Sequence, residues 1–265
     1  MEKTTMPTTI YPQLSVSLIK DPNRFYAFPI LGFVIKFLML IPQIIELAFL
    51  GIAAFFIVFV INPFIILFTG VYWDVAYQLT VGIIKLSMKM VFFFYGLTNT
   101  YPGFDFTIHD TYTVDIKKPT NPSKFLNFPL FGLLLKIIIM IPFFIYESII
   151  RYAAFLGVFG ASFVAFFAGR FPESSYELGR DSVRLNIAQG MYLSGLSNKY
   201  PSFWISMNHK TIKIILIILG VLSWLGNTNN SVNEEQTRME NTQYNQQQMM
   251  QDYNNSNPSD VKTGY

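Results

Sequence analysis

The sequence predicts a mainly α-helical integral membrane protein made of two tandem units. Each unit is expected to hold a transmembrane hairpin and an interfacial helix, with short flanking strands forming a small cytoplasmic sheet and a fifth, C-terminal transmembrane helix closing the chain. Three observations carry this expectation. Charged residues make up only 13% of the chain, Phe alone accounts for 27 residues, and the mean hydropathy is +0.37, whereas about 25% charge is usual in a soluble domain. Two apolar runs, Phe28–Gly70 and Phe128–Gly169, are each roughly twice the ~20 residues that one crossing requires. The sequence also aligns with itself.

The self-alignment sets the domain organisation. Pro22, Phe25, Phe28, Pro29, Gly32, Lys36, Ile41, Pro42 and Ile45 recur 100 positions later as Pro122, Phe125, Phe128, Pro129, Gly132, Lys136, Ile141, Pro142 and Ile145. After the loss of one residue the register becomes 99: Gly70, Tyr77, Gly96-Leu97, Asn99, Tyr101-Pro102 and Phe104 match Gly169, Tyr176, Gly195-Leu196, Asn198, Tyr200-Pro201 and Phe203. Shared Phe and Ile are cheap coincidences in so apolar a chain; ordered matches of Pro, Gly, Lys and Asn are not. The units are residues 11–109 and 110–208, followed by a C-terminal membrane segment, 209–226, and a tail, 227–265.

Within each unit the elements follow in order. Leu14, Val16 and Leu18, like Tyr112, Val114 and Ile116, alternate as in a half-buried strand. The apolar run then folds on itself, with a turn expected near Glu46–Gly51 and Tyr146–Tyr152, where Glu46, Glu147, Ser148 and Arg151 interrupt the apolarity. Asn62-Pro63 is a rival turn site with no counterpart in the second unit. Pro42 and Pro142 are expected to kink the first helix of each hairpin. In the next stretch Asp74, Gln78, Lys85 and Lys89 form one polar stripe at helical spacing, as do Glu173, Glu177, Arg180 and Arg184. Their acids lie toward the helix start and their bases toward its end, which suits the helix dipole, and the second copy reads as too polar to span, so both are expected to lie in the interface. Tyr-Pro-x-Phe and a second alternating segment close each unit, Phe104, Phe106, Ile108 and then Phe203, Ile205, Met207, giving four candidate strands, with a hairpin around His109-Asp110. Thr211–Leu225 is short for a crossing and is flanked by Lys210, Lys213 and Trp224.

Lys and Arg gather where the units begin and end (Lys20, Arg24, Lys117, Lys118, Arg170, Lys199), and the hairpin tips hold only Glu46, Glu147 and Arg151. The positive-inside rule therefore puts strands and interfacial helices in the cytoplasm, with both units in one orientation and a pseudo-twofold axis along the membrane normal. Residues 1–225 carry a net +6, and the Asn/Gln-rich remainder carries −3. With almost no apolar run to offset its ordering entropy, the tail is expected to be disordered and, after a fifth crossing, external. There are no cysteines, which excludes disulfides and thiolate metal sites.

Several motifs resemble those of an uncharacterised bacterial membrane family, the domain of unknown function 4389. They are Tyr11-Pro12-x-Leu14, the Ile-Pro pairs at 41–42 and 141–142, Leu67-Phe68-Thr69-Gly70, Gly169-Arg170-Phe171-Pro172 and the Tyr-Pro-x-Phe closures. The resemblance covers residues 11–205 in two copies, and implies a bacterial plasma-membrane protein without supplying an activity. Members often carry His after the Ile-Pro; here Gln43 and Phe143 stand there.

The candidate functional positions are few. Lys36 and Lys136 fall about eight residues into a spanning helix, roughly 12 Å deep, where a charge marks a functional position unless the ammonium snorkels to the headgroups; a shared cavity holding an anionic group such as a lipid phosphate is the functional reading. Asp74, Lys85, Lys89, Glu173, Arg180 and Arg184 are candidates for lipid or partner binding, against a simply solvated face. His109 and His209 are too isolated for a metal site. No nucleophile–base arrangement, phosphate loop or carboxylate cluster stands out. The expectation is a non-enzymatic accessory or scaffold protein without cofactor, metal or nucleic acid, presenting a cytoplasmic surface to membrane lipids or to an unidentified membrane or cytoplasmic protein. The alternative is a small transporter or channel with a path between the units.

Overall fold

The computed structural model describes residues 11–17, 19, 21–106, 112–205 and 210–256. The protein is mostly helical, 69%, with a small two-stranded sheet and three helices long and apolar enough to span a membrane. In chain order the elements are β1 (Leu14–Val16), α1 (Leu31–Ala54), a π-helical segment (Phe55–Ile61), α2 (Asn62–Thr69), α3 (Asp74–Tyr95), β2 (Tyr112–Val114), α4 (Phe131–Ala168), α5 (Glu173–Ser194) and α6 (Lys210–Ser256). Residues up to Val221 form one compact body, and those from Leu222 onward form a second.

The expected turns inside the apolar runs are not formed. Leu31–Thr69 is helical throughout, through a π-helical stretch, and α4 runs unbroken for 38 residues. The polar residues read as turn signals are spaced for a helix instead: Glu147 and Arg151 pair one turn apart at 3.5 Å. Pro42 and Pro142 sit inside α1 and α4 without ending them. At Asn62-Pro63 the seven-residue π segment absorbs the proline, and the helix resumes with Pro63 in its first turn. Asn62 is buried, and its Oδ1 accepts the Trp73 N–H at 3.0 Å, tying the end of this long helix to the start of α3.

Glycines in the left-handed region end four helices, Gly70, Gly96, Gly169 and Gly195, as the αL cap requires. Each long helix begins on a tight corner where Ile30 and Leu130 take φ of 65° and 61°. The corner leaves no room for a side chain two residues on: a Cβ on Gly32 would lie 2.4 Å from the Tyr26 carbonyl oxygen, and one on Gly132 2.5 Å from that of Leu126.

The helical hairpin is thus made by α1 with α3, and by α4 with α5. Equivalent side chains close both. Asn99 accepts the Asn23 N–H and donates to the Asp21 carbonyl (3.1 and 2.9 Å), while Asn198 accepts the Ser123 N–H and donates to the Asn121 carbonyl (3.0 and 2.8 Å). The two halves then pack like on like and head to tail. Helix α3 packs on α5, with the Tyr72 hydroxyl before α3 donating to the Ser194 carbonyl at the end of α5. Arg24, before α1, reaches Gly169 after α4, and Lys124, before α4, reaches Gly70 after α2. β1 pairs antiparallel with β2 in the register Leu14↔Val114, Ser15↔Thr113, Val16↔Tyr112. The Ser15 and Thr113 hydroxyls meet at 2.9 Å in the middle. Two of the four candidate strands therefore form, and they pair between halves; residues 104–106 and 203–205 are not strand, and Leu18, Ile108 and Met207 lie outside the described residues.

Two further expectations are corrected. Helices α3 and α5 are not peripheral. The window of α3 that is apolar enough to span is 56% buried, and α5 buries sixteen of its 22 residues, charged ones included. Among its buried charges, Arg180 pairs with Asp181 and Arg184 donates to the Trp204 carbonyl. The tail is helical to Ser256, with exposed Met239, Tyr244, Met249 and Met250, and the Thr242 hydroxyl donates to the Arg238 carbonyl within the helix. The expected C-terminal crossing falls within α6, whose described residues include the apolar stretch Ile217–Gly226.

Outside the core the surface of α1, α2 and α4 is mostly apolar, interrupted by partly exposed Glu46 and Ser148 and by exposed Arg151. Phe28, Val34, Phe37, Ile41, Phe49, Phe56, Phe64 and Phe68 are exposed in the first half, and Phe128, Leu134, Ile138, Ile141, Phe155, Phe163 and Phe167 in the second.

Candidate functional site: a chamber between the halves

Lys36 and Lys136 are both 3% exposed, and neither ammonium reaches the surface. Lys36 Nζ donates to the Phe94 carbonyl at 2.8 Å and lies 4.7 Å from the Phe33 ring centre. Lys136 Nζ donates to Asn127 Oδ1 at 2.7 Å and to the Leu193 carbonyl at 3.3 Å. Both acceptor carbonyls lie in the last turn of their helices, α3 and α5, where carbonyls lack intrahelical donors and the dipole favours a cation. The lysines therefore cap the returning helix of each half. Each ammonium is held within its own half, and the space beside Lys36 is about 20 Å³, room for one water molecule.

The position after each Ile-Pro faces the Tyr-Pro-x-Phe closure. Gln43 Nε2 donates to the Tyr101 hydroxyl and the Pro102 carbonyl (2.5 and 3.1 Å), and the Tyr101 hydroxyl donates to the Met39 carbonyl at 2.9 Å. In the second half Phe143 packs on Tyr200 and Phe203, with ring centres 6.2 and 5.4 Å away.

The two polar stripes divide. Asp74 and Glu173 are exposed, and Asp74 pairs with Lys118 at 2.5 Å. Lys85 is half-buried. Lys89 is 1% exposed and donates to both the carboxylate and the carbonyl of Asp105, each at 2.7 Å. Arg180 Nε and Nη2 both donate to Asp181 Oδ1 at 3.2 Å. Arg184 is fully buried; its Nη2 donates to the Trp204 carbonyl, its guanidinium lies 5.6 Å from the Trp204 ring, and its Nε and Nη1 have no hydrogen-bond partner. Lys89 and Arg184 thus tie the segment after each helix to the helix itself. A solvated face does not describe Lys89, Arg180 or Arg184. Near β2, burial and the neighbouring Asp105 charge push the Tyr112 phenol up to about 12. His109, Asp110, His209 and Lys20 lie outside the described residues.

One cavity has no counterpart among the expected sites. A chamber of about 600 Å³ lies between α3, α4 and α5. Its floor is built from matching positions of the two halves: Ile83, Ile84, Ser87, Met88 and Val91 from α3, and Ser182, Val183, Asn186, Ile187 and Gly190, each 99 positions further on, from α5. Its wall comes from α4 alone, through Glu147, Arg151, Tyr152 and Phe155. Most of the lining is apolar. Glu147 is 2% exposed; one carboxylate oxygen faces Arg151, and the other, Oε1, has no hydrogen-bond partner. Arg151 is half-exposed at the rim and also donates to the Ser148 hydroxyl at 3.3 Å. The positions matching Glu147, Arg151 and Asn186 in the first half are Leu47, Gly51 and Ser87, so the chamber's charge comes from one half only. In the sequence, the signal for this site is an acid and a base one helical turn apart within an apolar run.

No family model matches the chain, and neither a curated protein nor a solved structure matches it.

Proposed function

We propose that the protein is a non-enzymatic membrane protein of the bacterial plasma membrane, a tandem duplication that seats in lipid along α1–α2 and α4 and handles lipid at the chamber between its halves. The observation that carries this reading is the pair of long helices with largely apolar exteriors, on which Arg151 is the exposed charge among the described residues. At 1.5 Å per residue each is about 57 Å long, nearly twice the ~30 Å hydrocarbon core. To keep such a helix inside the core while spanning, it would have to tilt about 60° from the normal, beyond the 0–40° found for spanning helices. Lying along the membrane removes the mismatch. It also fits the head-to-tail packing of the halves, because the pseudo-twofold axis relating antiparallel helices is perpendicular to them and so runs along the membrane normal. Both halves then present α3, α5 and the sheet to the same, cytoplasmic side.

The chain has no native cysteine, so single-cysteine spin labels can be placed without background. At exposed Phe37, Phe49 and Phe68, in vesicles, lying helices give one common immersion depth. A steep depth gradient from 37 to 68 argues for a span, and labels that stay in water at all three positions remove the membrane reading.

A further inference from the structure

The chamber has the composition of a binding site more than of a packing fault. Its volume of about 600 Å³ is in the range of small-ligand pockets, which are mostly apolar with a few placed polar groups. A chamber that size lined only by apolar groups would have nothing to orient a ligand. Here Glu147 brings an almost wholly buried carboxylate that already faces Arg151 and the Asn186 side chain and still has one oxygen, Oε1, without a hydrogen bond, and a buried acceptor without a donor costs free energy until a donor arrives. Arg151, one turn further on, stands half-exposed at the rim. Ser87, Ser182 and Asn186 add hydroxyl and amide groups to the floor. An acid inside and a base at the rim match a headgroup that has a hydrogen-bonding cation at its tip and an anion behind it.

We propose that the chamber binds a phospholipid-type amphiphile with a primary ammonium on its headgroup, the ammonium donating to Glu147 Oε1 and the phosphate meeting Arg151, with the apolar lining taking up chain. This rests on the lipid-handling reading above and names its ligand class. The ammonium selects itself by donor count: a quaternary trimethylammonium carries the same charge but has no N–H to give Oε1, and a glycerol headgroup supplies hydroxyls without the charge. Charge-assisted hydrogen bonds are the stronger class, and one buried bond of this kind corresponds to about tenfold in affinity. The first half carries Leu47 and Gly51 at the matching positions, so one site per chain is expected.

The test uses the full chain in neutral detergent. Short-chain phosphoethanolamine, phosphocholine and phosphoglycerol lipids are titrated against intrinsic fluorescence, and the same preparations are checked for flotation with vesicles. Saturable binding with about tenfold preference for phosphoethanolamine is expected, and Glu147→Gln is expected to abolish the preference. Gly190→Leu serves as the second variant: a Cβ there meets open space, so the side chain fills the chamber without displacing backbone, and binding of all three lipids should fall. Equal affinity for the three headgroups, or a preference that survives Glu147→Gln, overturns the ligand assignment while flotation persists. Loss of flotation by the native chain overturns the membrane reading itself.

Discussion

Replacing the two buried lysines by methionine should destabilise the protein unequally, and the order follows from what each ammonium holds. Lys36→Met leaves one acceptor, the Phe94 carbonyl, without its 2.8 Å donor. Lys136→Met orphans two, the Leu193 carbonyl and Asn127 Oδ1. Asn127 is itself buried and is held by its own Nδ2 on the Ser123 carbonyl, so it is poorly placed to turn its oxygen elsewhere. A buried acceptor left unpaired costs about 1–3 kcal/mol. Methionine recovers part of this by relieving the desolvation of a charge and by keeping the apolar stem packed. The net is about 1.5 kcal/mol for Lys36→Met and about 3 kcal/mol for Lys136→Met. For a chain of this size that lowers Tm by about 3–6 °C and about 6–12 °C. Thermal unfolding in one detergent, followed by tyrosine and tryptophan fluorescence, reads both. The shifts should be the same with anionic and zwitterionic lipid added. Equal shifts, or a reversed order, would refute the counting of acceptors. Stabilisation of the native chain by anionic lipid that Lys136→Met removes would refute the capping role and restore a phosphate at the ammonium.

Three other outcomes follow from the same structure. Gly32→Ala and Gly132→Ala should each prevent accumulation of folded protein, because the new methyl would sit 2.4–2.5 Å from backbone oxygen, whereas Gly51→Ala, whose Cβ meets nothing within 4 Å, should be neutral or stabilising by up to about 1 kcal/mol; fluorescence-detected size exclusion separates the two. Asn99→Ala and Asn198→Ala each remove one donor and one acceptor bond across a helical hairpin and should cost about 1–3 kcal/mol, similar in the two halves, as measured by chemical unfolding in detergent. The phenol of Tyr112 is held up to about 12 against an ordinary 10.0: the folded state keeps the proton longer than the unfolded state, so the stabilisation is complete below pH 10 and is lost as pH rises from about 10 to about 12. Alkaline titration of phenolate absorbance should show a late phase whose amplitude Tyr112→Phe lowers by one phenol.

Much of this architecture was legible where the chemistry is local. Gly70, Gly96, Gly169 and Gly195 mark helix ends because few other residues take the left-handed conformation at low cost. Asn99 and Asn198, picked out only as matching positions, close equivalent hairpins. The errors came from arguments that are global. Dividing each apolar run by one bilayer thickness demanded a turn, and Glu46, Glu147 and Arg151 supplied polar places to put it; the spacing of 147 and 151, one helical turn, was the contrary signal. Helix α5 reads as too polar to span because burial of Arg180, Asp181 and Arg184 depends on partners such as the Trp204 carbonyl, which come from loops that periodicity cannot place. The chamber was illegible for the same reason: Ser87 and Asn186 are unremarkable until α3 and α5 are laid against each other.

The ribbon formed by β1 and β2 has a consequence for how such a site arises. Corresponding strands meet about their own midpoint, with Ser15 opposite Thr113, the geometry by which two separate identical chains would associate. In such a pair every substitution appears twice, so a buried carboxylate gained by one lobe is forced on the other, with its desolvation cost doubled. A single continuous polypeptide removes that coupling. One lobe can keep leucine and glycine as packing while the other carries an acid and a base.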